Sequence, residues 1–220
     1  MHLPKLWVDT HAIYQNSMAV VEACRRVGLA VFGVTKGVGA LPAVARAMLA
    51  GGVAGIGDSR VVNLLRLRKS GIGAPLMLLR SPTMGEISST VTTADIVLCS
   101  AFPTMQALAR AAIRHGRETQ VIPMVEMGDR REGLMPEQLE ELAIATDKLP
   151  GIRIRGLGTN LACFAGALPT PTGIISLESL AQGLGAGPTA QLMLSAGNSS
   201  ALGIIYKGQW PKLALAAHLR

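Results

Sequence analysis

Ala30-Val31-Phe32-Gly33-Val34-Thr35-Lys36-Gly37-Val38-Gly39 is an apolar run that delivers one lysine to its end and then breaks on glycines. Val31 to Val34 has the length of a buried strand, and Gly37 and Gly39 punctuate it. Lys36 then stands at the strand's C-terminal end, which is where parallel α/β architectures bind their ligands. An amine held there between apolar walls is disfavoured in its charged form and becomes available as a nucleophile toward an aldehyde. A strand-terminal lysine that merely reaches into water would look the same in this stretch alone.

The same unit recurs on either side. Leu6-Trp7-Val8-Asp9 reads as a short strand, and residues 12–27 carry apolar residues at helical spacing before Gly28. Beyond Lys36, Pro42 opens a helix, Gly51-Gly52 closes it, and residues 53–56 run as a strand into Gly57-Asp58-Ser59-Arg60. Further strands are expected at 75–79, 96–99, 121–125, 152–157 and 191–194, separated by helical stretches at 61–69, 84–91, 104–115, 136–149 and 176–183. After the Trp7 strand, the alternating strands reach Lys36, Asp58, Arg80, Cys99, Glu126, Thr159 and Ser195. Such regular alternation implies parallel pairing through right-handed crossovers. The expected fold is an α/β chain of one domain, residues 1–220, forming a (β/α)8 TIM-like barrel that lacks its last strand. Unpaired edges on the first and seventh strands would seek partners, so oligomerisation, such as a homodimer, or marginal stability is expected.

Composition bounds the rest. Hydrophobic residues make up 49% and charged residues 16% of the 220, which suits strands buried on both faces. The longest apolar runs are too short to span a bilayer, and the N-terminus has no apolar segment of signal-peptide length. Cys24, Cys99 and Cys163 are odd in number and unlike zinc spacing, so a reducing cytoplasm is expected; Cys24 and Cys99 read as packing, and Cys163 as a buried small hydrophobe in preference to an acid/base. The net charge of +7 is scattered over the chain, and aromatics at 3% are too few to stack bases. A solvated basic surface is favoured over nucleic-acid binding, and a small anionic ligand stays open. His2, His11, His115 and His218 lie apart, and no metal site is expected.

Strand-end placement brings Lys36, Asp58, Arg80, Arg131, Asn160 and Ser199 to one rim, the rim on which such barrels carry active sites. Ser195-Ala196-Gly197-Asn198-Ser199-Ser200 offers small residues whose N–H groups approach a phosphate closely, although an ordinary turn would have the same composition. A lysine on an early strand facing a phosphate cup on a late one is the arrangement needed by pyridoxal 5′-phosphate.

At these residues the chain resembles the alanine racemase fold type, and more closely its ornithine racemase-like branch, over essentially its whole length. The resemblance is carried by Val8-Asp9-Thr10-His11-Ala12-Ile13 with Asn16, by Gly33-Val34-Thr35-Lys36 and by Gly57-Asp58-Ser59-Arg60. Met127-Gly128-Asp129-Arg130-Arg131-Glu132-Gly133, Gly158-Thr159-Asn160-Leu161-Ala162-Cys163 and Gly197-Asn198-Ser199-Ser200 complete it. It implies a pyridoxal-phosphate barrel in which Lys36 holds the cofactor as an imine and moves the α-proton of an amino acid. Asn198 and Ser199 match the Asn-Ser pair beside the phosphate, with Gly197, Ser200 and Asn160 as neighbouring cofactor positions. Arg131 matches an arginine that holds the cofactor's phenolic oxygen or the substrate carboxylate, and Arg220 one that hydrogen-bonds the pyridine nitrogen.

The chain also departs from that family. In similar proteins the last arginine is followed by a glycine-containing strand and a C-terminal domain bearing a tyrosine acid/base, which these 220 residues do not include. Ala196 replaces an expected glycine, and no tyrosine follows Lys36 as far as Leu41. The expected function is a pyridoxal-phosphate-dependent amino-acid racemase acting on ornithine, lysine or alanine. A cationic side chain is preferred because Asp58, Glu126 and Asp129 lie near the rim. A non-catalytic cofactor-binding protein and an inactive shortened racemase are the alternatives.

Overall fold

The computed structural model describes residues 5–162, 165–184 and 192–220. The Asp9 carboxylate accepts hydrogen bonds from the His11 and Ala12 backbone N–H groups, both at 2.9 Å, and so caps helix α1 (Thr10–Arg25). The strand expected at Leu6-Trp7-Val8-Asp9 is therefore not formed. Leu6 and Trp7 stand 78% and 88% exposed with no neighbouring strand, and β-propensity without a partner does not make a strand.

From α1 the chain alternates through β1 (Leu29–Val34), α2 (Pro42–Ala50), β2 (Gly55–Asp58), α3 (Val61–Lys69), β3 (Leu76–Leu78), α4 (Ile87–Thr93) and β4 (Ile96–Leu98). It continues through α5 (Phe102–Arg114), β5 (Thr119–Ile122), β6 (Met124–Val125), α6 (Leu139–Asp147), β7 (Ile152–Ile154) and β8 (Gly156–Thr159). The described chain ends with α7 (Pro171–Gln182), β9 (Met193–Ser195), α8 (Leu202–Tyr206) and β10 (Ala216–Leu219). Gln191, taken as a strand start, and Cys163 lie outside the described residues.

Every strand pairing is parallel, in the order β6-β8-β9-β10-β1-β2-β3-β4-β5-β7. β5 and β6 are one strand interrupted at Pro123, which has no N–H to donate, and β7 and β8 are one strand interrupted at Arg155. Because β5 pairs β7 while β6 pairs β8, the two ends of that order are the same two neighbours. Hydrogen bonds from Arg155 N to Val121 O and from Gly158 N to Pro123 O carry the ladder through the interruptions. Ten segments, of which two pairs are each one strand, thus make a closed TIM-like barrel of eight strand positions.

The closing strand, expected just beyond Arg220, lies before it instead, as β10. It aligns Ala217 with Leu29 of β1 and with Leu194 of β9, so both edges that were expected to be open are covered. The ground for oligomerisation or marginal stability through open edges goes with them. Apart from His218, Leu213 to Leu219 is built of leucine and alanine, good helix formers, and pairing on both sides overrides that preference.

Side chains alternate across the barrel wall. Leu76 and Leu78 of β3 pack outward with Leu64 and Leu67 of α3, while Met77 packs inward with Phe32, Leu98, Ile122 and Met124. Each fully buried side chain of that lumen contributes about 1.5–3 kcal/mol. His218 of β10 shares the inner face, its ring centroid 5.0 Å from that of Phe32. It is fully buried, and neither ring nitrogen has a hydrogen-bond partner. Such unmade bonds cost about 1–3 kcal/mol each.

Outside the barrel, arginines bond carbonyls of the adjoining unit. Arg46 Nη2 donates to Ser70 O at the end of α3 (2.7 Å), Arg117 Nη1 to Thr92 O of α4 (3.1 Å), and Arg66 Nη1 to Gly39 O in the turn after Lys36. Arg68 bonds the carbonyls of Ile72 and Ala74 and pairs with Asp95. The positive charge therefore serves the carbonyls that helices and turns leave unsatisfied. Among the described residues, no helix is long and apolar enough to cross a membrane.

Burial first, and the Arg220 charge second, lower the His218 pKa to about 3. In an unfolded chain it would be about 6.5, so below that pH the unfolded state takes up a proton that the folded state refuses. Stability should fall as pH drops from about 6.5 toward 3, with His218 contributing about 1.4 kcal/mol per unit. Denaturant unfolding across this range checks the sign, because His218→Leu should show a shallower dependence than the parent.

Candidate functional site

Lys36 opens a single 3-10 turn, Lys36–Val38, behind β1. The residue before it, Thr35, is fully buried, and its hydroxyl donates to Asp58 Oδ2 at 2.9 Å. Asp58 Oδ1 accepts from Asn63 Nδ2 at 2.9 Å and from Arg60 N at 3.1 Å. A buried carboxylate thus ties the end of β1 to the end of β2 and the start of α3, which fixes where Lys36 emerges. The lysine side chain is exposed and makes no hydrogen bond or ion pair with a described residue. Apolar side chains line the space beside it, but the lysine is exposed and not buried between them.

Arg131 rides on the loop after β6. That loop returns on itself: Leu134 N donates to Met124 O (2.7 Å) and Glu126 N to Leu134 O (2.9 Å). The Glu126 carboxylate accepts from Gly128 N at 2.6 Å and Arg130 N at 3.0 Å, closing the turn from inside. Gly133 is obligatory here, since a Cβ would stand 2.4 Å from Glu126 N. Arg131 projects from this rigid base, exposed.

The cup after β9 is equally self-braced. Gly197 has φ +125°, open to glycine, and a Cβ there would find its nearest neighbour 4.0 Å away. Asn198 Oδ1 accepts from Ser200 N (2.9 Å) and Ser200 Oγ (2.7 Å), while its Nδ2 donates to Leu161 O (2.7 Å). The exposed Ser199 hydroxyl makes no hydrogen bond with a described residue. Arg220 follows β10 and spans three strand ends. Its Nη1 donates to the oxygens of Ser195 and to Gly197 O, and its Nη2 to Thr159 O (2.8 Å) and Asn160 Oδ1 (2.9 Å).

One cavity of about 580 Å³ brings Lys36, Arg131, Asn160, Asn198, Ser199, Ser200 and Arg220 together, and Gly197 adjoins them in the cup. Phe32, Val34, Leu79 and Leu219 supply apolar wall. Sequence reading did not find the contributions of Thr35 and Ser59. Thr35 is adjacent to the lysine, but its hydroxyl acquires meaning only through Asp58, 23 residues on. The charged residues of the lining are Lys36, Arg131 and Arg220, and among the described residues no carboxylate joins them.

The rim carboxylates expected to receive a substrate ammonium are engaged elsewhere. Asp58 is fully buried against Thr35 and Asn63, Glu126 holds its own turn, and Asp129 is 1% exposed. Arg80 also leaves the site, bonded to Ser59 O and paired with Glu86. No described tyrosine lines the cavity. Cys24 and Cys99 are buried free thiols, and burial pushes both pKa values up, as befits packing.

The chain has relatives of known description. The lysine racemase of Thermotoga maritima is 32% identical over 214 residues, covering 96% of this chain and 59% of its own. The ornithine racemase of Acetoanaerobium sticklandii is 32% identical over 211 residues, covering 95% of this chain and 59% of its own. The chain therefore spans less than two thirds of the length of these curated relatives. Among solved structures, PipY of Synechococcus elongatus with PLP bound superposes with a TM-score of 0.76 at 19% identity, over 94% of this chain and 96% of that one. An alanine racemase from a D-cycloserine-producing Streptomyces lavendulae superposes with 0.76 at 22% identity, over 96% and 56%. At those identities the superpositions show a shared fold. The family profile described as alanine racemase, N-terminal domain, matches residues 8–207, so that with two relatives at 32% identity the chain belongs to the alanine racemase N-terminal domain family.

Proposed function

We propose that this chain binds pyridoxal 5′-phosphate through Lys36 and acts as the barrel of an amino-acid racemase. The supporting observation is the cavity itself: a partnerless lysine amine and the Ser199 hydroxyl face one space whose charged lining is cationic. The residues fit the cofactor, since Gly197 leaves room for a phosphate, Ser199 has a hydrogen bond to give, and Asn160 keeps an unpaired Nδ2 beside Arg220. When bound, pyridoxal phosphate supplies an electron sink that lets the α-proton of an amino acid depart.

The chain's own residues divide the remaining work. Lys36 Nζ would hold the cofactor through its aldehyde carbon and, released when the substrate's amino group takes its place there, would remove and return the α-proton, with Thr35 on Asp58 positioning the lysine. Gly197, Ser199 and Ser200 hold the phosphate on a frame braced by Asn198. Arg220, locked by carbonyls and by Asn160, would be the residue that meets the cofactor's ring nitrogen. Arg131 meets the phenolic oxygen or the substrate carboxylate.

The substrate is a free amino acid. The names of the two relatives favour lysine or ornithine, although a cationic side chain meets no carboxylate among the described lining residues. A reducing cytoplasm, consistent with the buried free thiols, is part of the same proposal. A cofactor-binding protein without racemase activity is the second reading, favoured because Lys36 has no evident acid/base partner across the described cavity lining.

Borohydride reduction of the cofactor-loaded protein followed by peptide mapping should place the label on Lys36, and label elsewhere would sink the assignment. Ser199→Ala should weaken cofactor binding by about 1–3 kcal/mol, through loss of a charge-assisted contact to phosphate. Titration of the apo-protein with cofactor reads this, equal affinities meaning that the cup is misassigned. With Lys36 working from one face, solvent deuterium should enter the α-position of an amino acid faster than the centre inverts. Inversion keeping pace with exchange would show a second acid/base within these 220 residues.

A further inference from the structure

Among the described residues, six buried side-chain polar atoms lack a hydrogen-bond partner: Thr119 Oγ1, Glu132 Oε1, Trp210 Nε1, Asn160 Nδ2 and both ring nitrogens of His218. Three of the six belong to the two residues around Arg220. Asn160 Oδ1 accepts from Arg220 Nη2 at 2.9 Å, which orients the amide and leaves Nδ2 over. His218 is the third residue of β10 and Arg220 directly follows the strand, its backbone N–H still bonded to Gly197 O at 3.1 Å, so the two side chains, two residues apart, face the inside of the barrel with the imidazole one layer deeper.

Phe32, Met77, Leu98 and Ile122 give that inner layer apolar neighbours, and Ser195, in register with His218 and fully buried, adds a hydroxyl that accepts from Arg220 Nη1. A leucine or methionine at position 218 would bury no unmade hydrogen bond, so packing alone selects against histidine here. The ring is held against Phe32, which lines the cavity above together with Asn160 and Arg220.

We propose that His218 is a positioning residue for the ligand site: with Asn160, its imidazole sets the pose in which Arg220 presents its guanidinium to the ring nitrogen of the cofactor. This rests on the reading of the cavity as a pyridoxal-phosphate site. A residue kept for packing and a residue kept for positioning respond oppositely to replacement by leucine. The first loses stability and keeps affinity, whereas the second keeps or gains stability and loses affinity.

The test uses His218→Leu and His218→Gln in the full chain, with thermal midpoints at neutral pH and titrations of pyridoxal phosphate and of inorganic phosphate. For His218→Leu the expected result is a midpoint at or above the parent's, pyridoxal-phosphate affinity at least tenfold weaker, and inorganic-phosphate affinity unchanged. His218→Gln, which keeps a donor and an acceptor, should recover most of the loss. A lowered midpoint with unchanged affinity, or equal losses in both variants, overturns the proposal. The ring nitrogens of His218, followed by 15N chemical shift in the apo-protein, give a measurement that needs no cofactor. Their shifts should move in Arg220→Gln and stay in Ser199→Ala, and shifts indifferent to Arg220→Gln overturn the proposal. Failure of the parent to bind pyridoxal phosphate would instead overturn the functional reading, and the shift measurement would still decide whether His218 and Arg220 are coupled.

Discussion

β10 is hydrogen-bonded to β9 on one side and to β1 on the other, and the candidate site is assembled by that double pairing. Its register sets the strand end bearing Lys36 and the strand end bearing the 197–200 cup on either side of Arg220. The backbone N–H of Arg220 then reaches Gly197 O at 3.1 Å, and its guanidinium gathers Ser195, Thr159 and Asn160. Three segments remote in sequence become neighbours because parallel ladders are continuous around the barrel. Local propensity contributes little at this point, since the strand itself is drawn from a stretch that favours helix.

Each functional group stands on a base that spends its polar atoms internally. Asp58 is consumed by Thr35, Asn63 and Arg60, and Glu126 by the turn beneath Arg131. Asn198 turns its amide onto Ser200 and Leu161. The atoms left for a ligand, the Lys36 amine and the Ser199 hydroxyl, are therefore presented by frames that need little rearrangement on binding, the condition under which electrostatic recognition is strongest.

Apolar runs that end in polar residues announced most of the strand positions and the rim to which they deliver side chains, because period and punctuation are local properties. Lys36, Arg131, Asn160, Asn198, Ser199, Ser200 and Arg220 were all legible in this way or through the resemblance, and they share one cavity. What sequence could not decide was which way a rim side chain turns. Asp58 and Arg80 sit at strand ends like Lys36, yet one is turned inward by Thr35 and the other sideways by Glu86, and those partners come from other units of the fold. β10 and the absent strand at Trp7 are the same lesson in opposite senses, since a strand exists where neighbours offer pairing. His218 was read only for metal-ligand spacing, whereas its burial without a hydrogen-bond partner depends on neighbouring strands that spacing does not show.

The arginines bonded to carbonyls leave a further mark. A guanidinium paired with a carboxylate cancels in the far field, but one bonded to a neutral carbonyl keeps its whole charge. Arg46, Arg66 and Arg117 are of the second kind, with no ion pair to a described carboxylate. They contribute to the chain's net charge of +7 while serving the structure. The molecule therefore carries a positive potential that draws anions from solution before any contact is made, so phosphorylated and carboxylated ligands should arrive faster in dilute buffer than in concentrated salt.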